Sequence, residues 1–421
     1  MRNNKVVEHL HDPHQLEQLY RSDEDTFSSL LTEAILAAPD SDILKTWEAR
    51  INYQQTPKNF GQGKNLLIAI ALSILTLGAI KIPIFSADIP FLSWLTAEWF
   101  YPRFTAMISI GALIAYFVLS KRPSFTIIFA IFLALVIATS MMFFMPSYKN
   151  SSTITMSYIH LPFFLMSVLA LSFVGEQWRV HEKRLMFIRY IGEISILSIL
   201  MLIGGIVLTS ITFLLFGTIN VSIGDWYLKN VVVLGIVSAP IISTFIYESV
   251  LNRKIKMASI ISNVFAPLFL ITTVVYLFAM FYQNANPFTD REFLITFNGL
   301  LVIVWGITVY SVAGRGVKST SKMVDTVNVL LLTVSIIINA IAVLAIGYRL
   351  IGLGITPNRI VVFGSNIIVF IHILIILKTY AADLYRKNGA DIIKAISIYM
   401  PMYTVWSIFV TFILPFAYSF K

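Results

Sequence analysis

Apolar residues fall along this chain in eleven runs separated by short polar segments, at roughly 65–83, 104–119, 124–145, 154–174, 193–217, 229–250, 258–281, 293–313, 324–347, 360–378 and 395–418. Each run holds about 16 to 25 residues, enough to cross a hydrocarbon core of ~30 Å at ~1.5 Å per residue. A segment surrounded by lipid must satisfy its own backbone hydrogen bonds, so runs of this length predict helices; the alternation of a membrane β-barrel is absent. The pattern therefore predicts an all-α integral membrane protein with about eleven transmembrane helices over residues 65–421.

Residues 1–64 have a different pattern and predict a small helical module. Asp12-Pro13 opens a first helix with proline at its first position. Ser22 and Asp25 resemble a capping pair ahead of Phe27, Leu30, Leu31, Ala34 and Ile35, which share one helical stripe. Pro39-Asp40 breaks the chain, and Ile43, Leu44, Trp47 and Ile51 form a third stripe. No secretory signal pattern precedes this polar stretch, which predicts a cytosolic location.

Charge sets the expected orientation. Lysine and arginine alternate between rich and poor connecting segments, with 23 on the side of the N-terminus and seven on the other, and Lys81 near the end of the first run. By the positive-inside rule the N-terminus is cytoplasmic and the C-terminus external. The net charge of +9 is thus explained by topology and by attraction to anionic lipids at the cytoplasmic face, and no nucleic-acid partner is expected. The module itself is acidic, with ten carboxylates against seven basic residues, which suits docking on basic loops or on a protein partner. A composition of 57% hydrophobic and 13% charged residues, with a mean hydropathy of +0.80, excludes a soluble globule.

Chemistry is sparse. Zero cysteines exclude disulfides and thiolate chemistry, and no nucleotide, metal or catalytic motif stands out, so no cofactor is expected. His9, His11 and His14 are close enough in sequence to hold a divalent metal, against the plainer reading of a solvated tail, and His181 reads as a solvated loop histidine. His160 and His372 fall inside runs. His372, with Ser365 and Asp383 along one face, is a candidate for proton relay, against the plainer reading of an interhelical hydrogen bond.

Asp325, Asn328, Ser335 and Asn339 lie on nearly one face of the ninth run; with Asn263, Pro267, Asn298 and Asn366 they would line a cavity or glue helices together. No carboxylate falls near a run centre, which disfavours ion coupling through a buried acid. Gly235 to Pro240 in the sixth run and Gly78 to Pro83 in the first predict interrupted helices. Asp88, Glu98 and Arg103, among Phe91, Trp94, Trp99, Phe100 and Tyr101, predict an interfacial helix whose acids could serve a lipid-donor transferase, against the plainer reading of aromatic anchoring at the headgroups. Arg349 and Arg359 flank a turn in which Thr356 caps and Pro357 starts the tenth helix, and with Asn358 they form a candidate site for an anionic headgroup or substrate.

The stretch Ile355-Thr356-Pro357-Asn358-Arg359, together with Phe187-Ile188-Arg189-Tyr190-Ile191-Gly192-Glu193 opening the fifth run, resembles the bacterial membrane-protein family catalogued as domain-of-unknown-function family 4153. The resemblance covers about residues 65–420 and implies a bacterial inner-membrane protein without an assigned activity or assigned catalytic residues. Three function classes follow. Short loops and polar late helices favour a permease-like transporter or flippase acting on a small or amphiphilic, anionic substrate, with candidate site residues Arg349, Thr356, Asn358, Arg359, Asn263, Asn328, Asn339 and His372. The acidic module favours a non-catalytic sensor, scaffold or partner subunit, and Asp88 with Glu98 favours the transferase.

Overall fold

With almost no polar surface to spare, the chain satisfies its backbone internally. In the computed structural model every regular element among the described residues is helical. The described residues are 4–10, 12–22, 24–38, 40–55, 59–86, 89–218, 221–251, 265–283, 288, 291–314, 322–386 and 390–421. The chain divides into two compact units, Met1–Lys64 and Asn65–Lys421.

The first unit holds α1 (Lys5–Glu8), α2 (Pro13–Ser22), α3 (Glu24–Ala37) and α4 (Asp42–Gln55). Asp12 caps α2 by accepting from the His14 and Gln15 amides at 3.0 and 3.2 Å, and Pro13 takes the first helical position. Ser22 is the last residue of α2, and the expected capping pair of Ser22 and Asp25 falls on side chains outside the description. Its core is an aromatic triad: Tyr20, Phe27 and Trp47, with ring centroids 4.9 to 5.6 Å apart, among buried Leu16, Leu31 and Leu44. Arg50 lies over the rings of Trp47 and Tyr20 at 4.6 and 5.1 Å and pairs with Glu17 at 2.8 Å.

The second unit begins within α5 (Asn59–Ile80) and runs through α6 (Ile82–Ser86), α7 (Ala97–Lys121), α8 (Phe125–Phe144), α9 (Ser152–Val174), α10 (His181–Thr218), α11 (Gly224–Val250), α12 (Ala266–Tyr282), α13 (Arg291–Gly314), α14 (Lys322–Leu353), α15 (Pro357–Arg386), α16 (Ala390–Ile398) and α17 (Met400–Ile408). Among the described residues nine helices are long and apolar enough to cross a membrane, and shorter apolar stretches lie at Ala266–Met280 and Leu301–Ala313. This is a multi-pass, all-α membrane protein.

Contacts between segment ends sort into two sets, as antiparallel neighbours require. At one end Lys121 donates to the Phe173 carbonyl at 2.8 Å, the Ser124 amide to Glu176 at 2.5 Å, and Arg184 to the Ser397 carbonyl at 3.2 Å. At the other, Arg103 donates to the Met145 carbonyl at 3.1 Å, Ser151 to the Phe420 carbonyl at 2.7 Å, and Arg349 to the Phe288 carbonyl at 3.1 Å. No end in the first set bonds one in the second among these pairs.

Several expected features take a different form. Residues 97–103 are the first turns of α7 and not a separate interfacial helix. Thr96 caps α7 at the Trp99 amide, and Arg103 is buried, held by the Trp99 carbonyl at 2.9 Å and by Ser147 at 3.0 Å. α11 continues through Pro240 unbroken; its departures are π-helical segments at Leu228–Val232 and Ile246–Val250. The first run does break, at Lys81, whose ammonium bonds the Asn230 side chain. The last run, expected to be continuous, is interrupted at Tyr399, ahead of Pro401, because proline supplies no amide to continue the ladder.

Packing is tightest where glycine admits a ring. A Cβ on Gly364 of α15 would stand 2.1 Å from the Trp406 ring of α17, whereas one on Gly204 meets nothing within 4 Å. Gly364→Ala is expected to lower stability by about 1–3 kcal/mol through overpacking, and Gly204→Ala to leave it unchanged or raise it by up to ~1 kcal/mol; heat unfolding of the two variants in one detergent measures this. In the module, hydrogen bonds from Arg50 and then Arg21 hold the Glu17 carboxyl below its ordinary value of 4.5. That pairing contributes stability above the ordinary value and loses it as pH falls through the lowered one. Hydrogen exchange over residues 13–55 is expected to show acid weakening of the module, with a flatter pH dependence in Arg50→Ala.

Candidate functional site

The turn between α14 and α15 is built by four local devices. Gly354 takes φ +82°, the left-handed conformation that ends a helix such as α14. Thr356 accepts from the Arg359 amide at 3.4 Å, and Pro357 begins α15. Arg359 then closes the turn, donating Nη1 to the Leu353 and Gly354 carbonyls at 2.7 and 2.6 Å. The last carbonyl of α14 and the one that follows it are thereby satisfied by a cation, which also complements the negative end of the helix. Among the described residues Nε and Nη2 of Arg359 make no further hydrogen bond. Asn358 donates to the Ser152 hydroxyl of α9 at 3.4 Å, while its buried amide oxygen has no partner among the described residues. Arg349 is anchored at Phe288.

Beside this turn lies a groove of about 500 Å³ with an apolar lining of Leu350 and Ile351 from α14, Ile355, Ile360 and Phe363 from the turn and α15, and Trp406 from α17. Trp406 is fixed from both sides: its ring rests on Gly364 and its Nε1 donates to Ser365 at 2.8 Å.

The polar residues of the later helices lie elsewhere, and different partners separate them. Asn328 is fully buried, accepting from Ser311 of α13 at 2.6 Å and donating to Tyr380 of α15 at 3.2 Å; Tyr380 in turn donates to Asp325 at 2.6 Å. This chain ties α13, α14 and α15 together, so Asn328 serves as interhelical glue. Asn366 donates to Asn298 at 2.8 Å, joining α15 to α13. Asn339 is also fully buried, yet among the described residues neither its amide oxygen nor its nitrogen has a hydrogen-bond partner, a cost of about 1–3 kcal/mol per group.

His372 is buried opposite the break between α16 and α17. Its Nδ1 lies 2.8 Å from the Tyr403 hydroxyl, its ring stacks on Tyr399 at 5.0 Å, and the Ala395 and Ile396 carbonyls lie beside it. Ser365 and His372 bond different residues, so the two are not linked in a relay. His160 bonds the Met156 carbonyl of its own helix at 2.9 Å, and His181 the Ser397 hydroxyl at 2.7 Å, so His181 is a packed contact between α10 and α16 and not a solvated loop residue.

Asn263, Asp88 and His11 lie outside the described residues, and Glu98 is exposed. No group of three or more metal-ligating side chains occurs among the described residues. Sequence reasoning passed over one cluster, centred on Glu193. Expected at a span end, this carboxyl is buried, twelve residues into a helix of 38 residues. The signal lay in the spacing of Arg189, Gly192 and Glu193, which share one helical face.

Tyr380→Phe, which removes the hydroxyl shared by Asn328 and Asp325, is expected to cost about 1–3 kcal/mol. Thermal unfolding checks this; an unchanged midpoint would show that the chain of hydrogen bonds adds nothing to packing.

A scan against protein-family models finds no match for the chain, and neither a curated protein nor a solved structure matches it.

Proposed function

We propose that the chain is a permease-like protein of the bacterial inner membrane that binds and moves, or flips, an anionic amphiphile. The observation that carries this reading is the apolar groove whose lining reaches the turn at Ile355, next to Arg359, whose Nη1 closes that turn. An acyl or other apolar tail fits a lining without polar side chains, and a carboxylate or phosphate suits the Arg359 fork. The substrate sites proposed are Arg349, Thr356, Asn358 and Arg359.

In this reading the two shorter apolar stretches join the nine long helices as crossings, which makes eleven, with the N-terminus cytoplasmic and the C-terminus external. The sorting of end contacts into two sets supports the alternation. The groove then opens toward the outer leaflet, and the basic cytoplasmic segments attract anionic lipid.

A second reading, a membrane scaffold or partner subunit, draws on the Asn328 chain, which spends polar groups on helix joining, and on a module with its own aromatic core. That reading predicts a protein partner for residues 1–64 and no transport. Vesicles carrying the purified protein and fluorescent lipid analogues separate the two. The amphiphile reading predicts that Arg359→Ala slows flipping of an anionic analogue by about tenfold or more, the worth of one charge-assisted contact, while Lys149→Ala, an exposed residue, leaves it unchanged. Equal tolerance of both substitutions removes the anion site, and no flipping by the unaltered protein favours the scaffold.

A further inference from the structure

The last apolar run departs from a regular helix ahead of two prolines, and one device holds both places. Pro401 has no amide to offer the Ser397 carbonyl four residues before it. That carbonyl accepts instead from Nη1 of Arg184 of α10 at 3.2 Å, and the Met402 amide turns to the Tyr399 carbonyl at 3.0 Å. Pro415 likewise has no amide for the Thr411 carbonyl, within the π-helical segment Phe409–Ile413, and the Ser157 hydroxyl of α9 donates there at 2.8 Å. α17 lies between two points at which a main-chain bond has passed from its own run to a side chain of α10 or α9.

Toward the bundle, α17 is held by neutral bonds between side chains. Trp406 donates to Ser365 of α15, Tyr403 meets His372 of α15, and Thr404 meets Ser167 of α9, each at 2.8 Å. Met402, Val405 and Ile408 on its other face are exposed, so an outward tilt carries apolar side chains into lipid. Trp406 is the α17 wall of the amphiphile groove, and its ring fills the space that Gly364 leaves. One turn back along α17, the Tyr403 ring lies 5.5 Å from Trp305 of α13 and 5.6 Å from His372. Nε1 of Trp305 and Nε2 of His372 are buried and make no hydrogen bond among the described residues.

We propose that α17 is the gate of the groove, swinging about the irregular points at Tyr399 and Phe409–Ile413 and lifting the Trp406 ring off Gly364. Hinges are a few residues at element ends that absorb backbone rotation. Here the swing need break no helical bond at those two carbonyls, because the long Arg184 side chain and the Ser157 hydroxyl already hold them. With the ring seated, the groove stops at Trp406. With the ring lifted, it continues toward Tyr403 and the unspent nitrogens of Trp305 and His372, which a polar group entering the bundle can bond. What passes the gate rests on the amphiphile reading; the swing of α17 does not.

Spin labels on Val405→Cys of α17 and Ile137→Cys of α8, both exposed positions in a chain without cysteine, read the swing as a distance in lipid nanodiscs. The labelled protein is expected to show two distances, the second gaining population when dodecyl phosphate is added. Gly364→Ala, which denies the ring its seat, is expected to favour the second without it. One distance, the same in all three samples, overturns the proposal. Should Gly364→Ala fail to fold, Ser365→Ala, which releases the indole, is expected to shift the populations the same way, and unmoved populations overturn the proposal as well. Ser167→Cys with Thr404→Cys tests the role of the swing, since the two hydroxyls lie 2.8 Å apart, within reach of a disulfide. Oxidation is expected to abolish flipping of the anionic analogue and reduction to restore it. Full flipping with the bridge closed overturns the gate and leaves the amphiphile reading standing, whereas two distances in a protein that flips nothing keep the swing and remove that reading.

Discussion

Hydrogen-bond satisfaction in an apolar bundle is the constraint on which the rest of this structure depends. Water is not at hand between the helices, so each polar side chain there either finds a partner on a neighbour or costs stability. Asn328 meets the constraint through Ser311 and Tyr380, and Asn366 through Asn298. Arg103, Arg189 and Arg359 meet it by capping backbone carbonyls that helix ends or loops leave over. Arginine does this well because its planar fork offers several donors from one side chain. The helices are thus joined at their ends by cations and in their interiors by amides and phenols.

The same constraint explains where the helices depart from regularity. The break at Tyr399 precedes a proline and faces His372, Tyr403 and Trp305, a polar and aromatic wall beside the freed carbonyls. Irregular backbone at such depth is tolerated only where protein covers it. In α11 the register changes through π-helical segments at both ends, and Pro240 in the middle is absorbed. Lys81, at the break of the first run, bonds Asn230 in the first of those segments, so two irregular stretches support each other.

Helical class and the positions of most spans were legible because they rest on run length and backbone chemistry, both of which are local. The stripes of Phe27, Leu31, Leu44 and Trp47 were legible for the same reason, and they meet in one core. Less legible was what each polar residue does. Asn328 and Asn339 share a face of one helix and look alike in sequence, yet among the described residues one is bonded on both sides and the other on neither, a difference set by Ser311 and Tyr380, which lie 17 and 52 residues from Asn328. Glu193 looked like a span-end acid because its burial comes from α11 and α13 and from a ring seated on its neighbouring glycine. The groove beside Arg359 was not legible at all, since it forms between α14, α15 and α17 from residues that read as ordinary lipid-facing apolar positions.

The claim on which all functional readings rest is the alternation of segment ends across the bilayer, with the arginine turn outside. The chain has no cysteine, so single cysteines can be placed one at a time and probed with a membrane-impermeant thiol reagent on spheroplasts. Lys149→Cys and Gly352→Cys are predicted to react in intact spheroplasts, whereas Glu182→Cys and Asp391→Cys react only after permeabilisation; these four positions are exposed in the structure. Labelling of all four from one side, or of the reverse pair, would contradict the account.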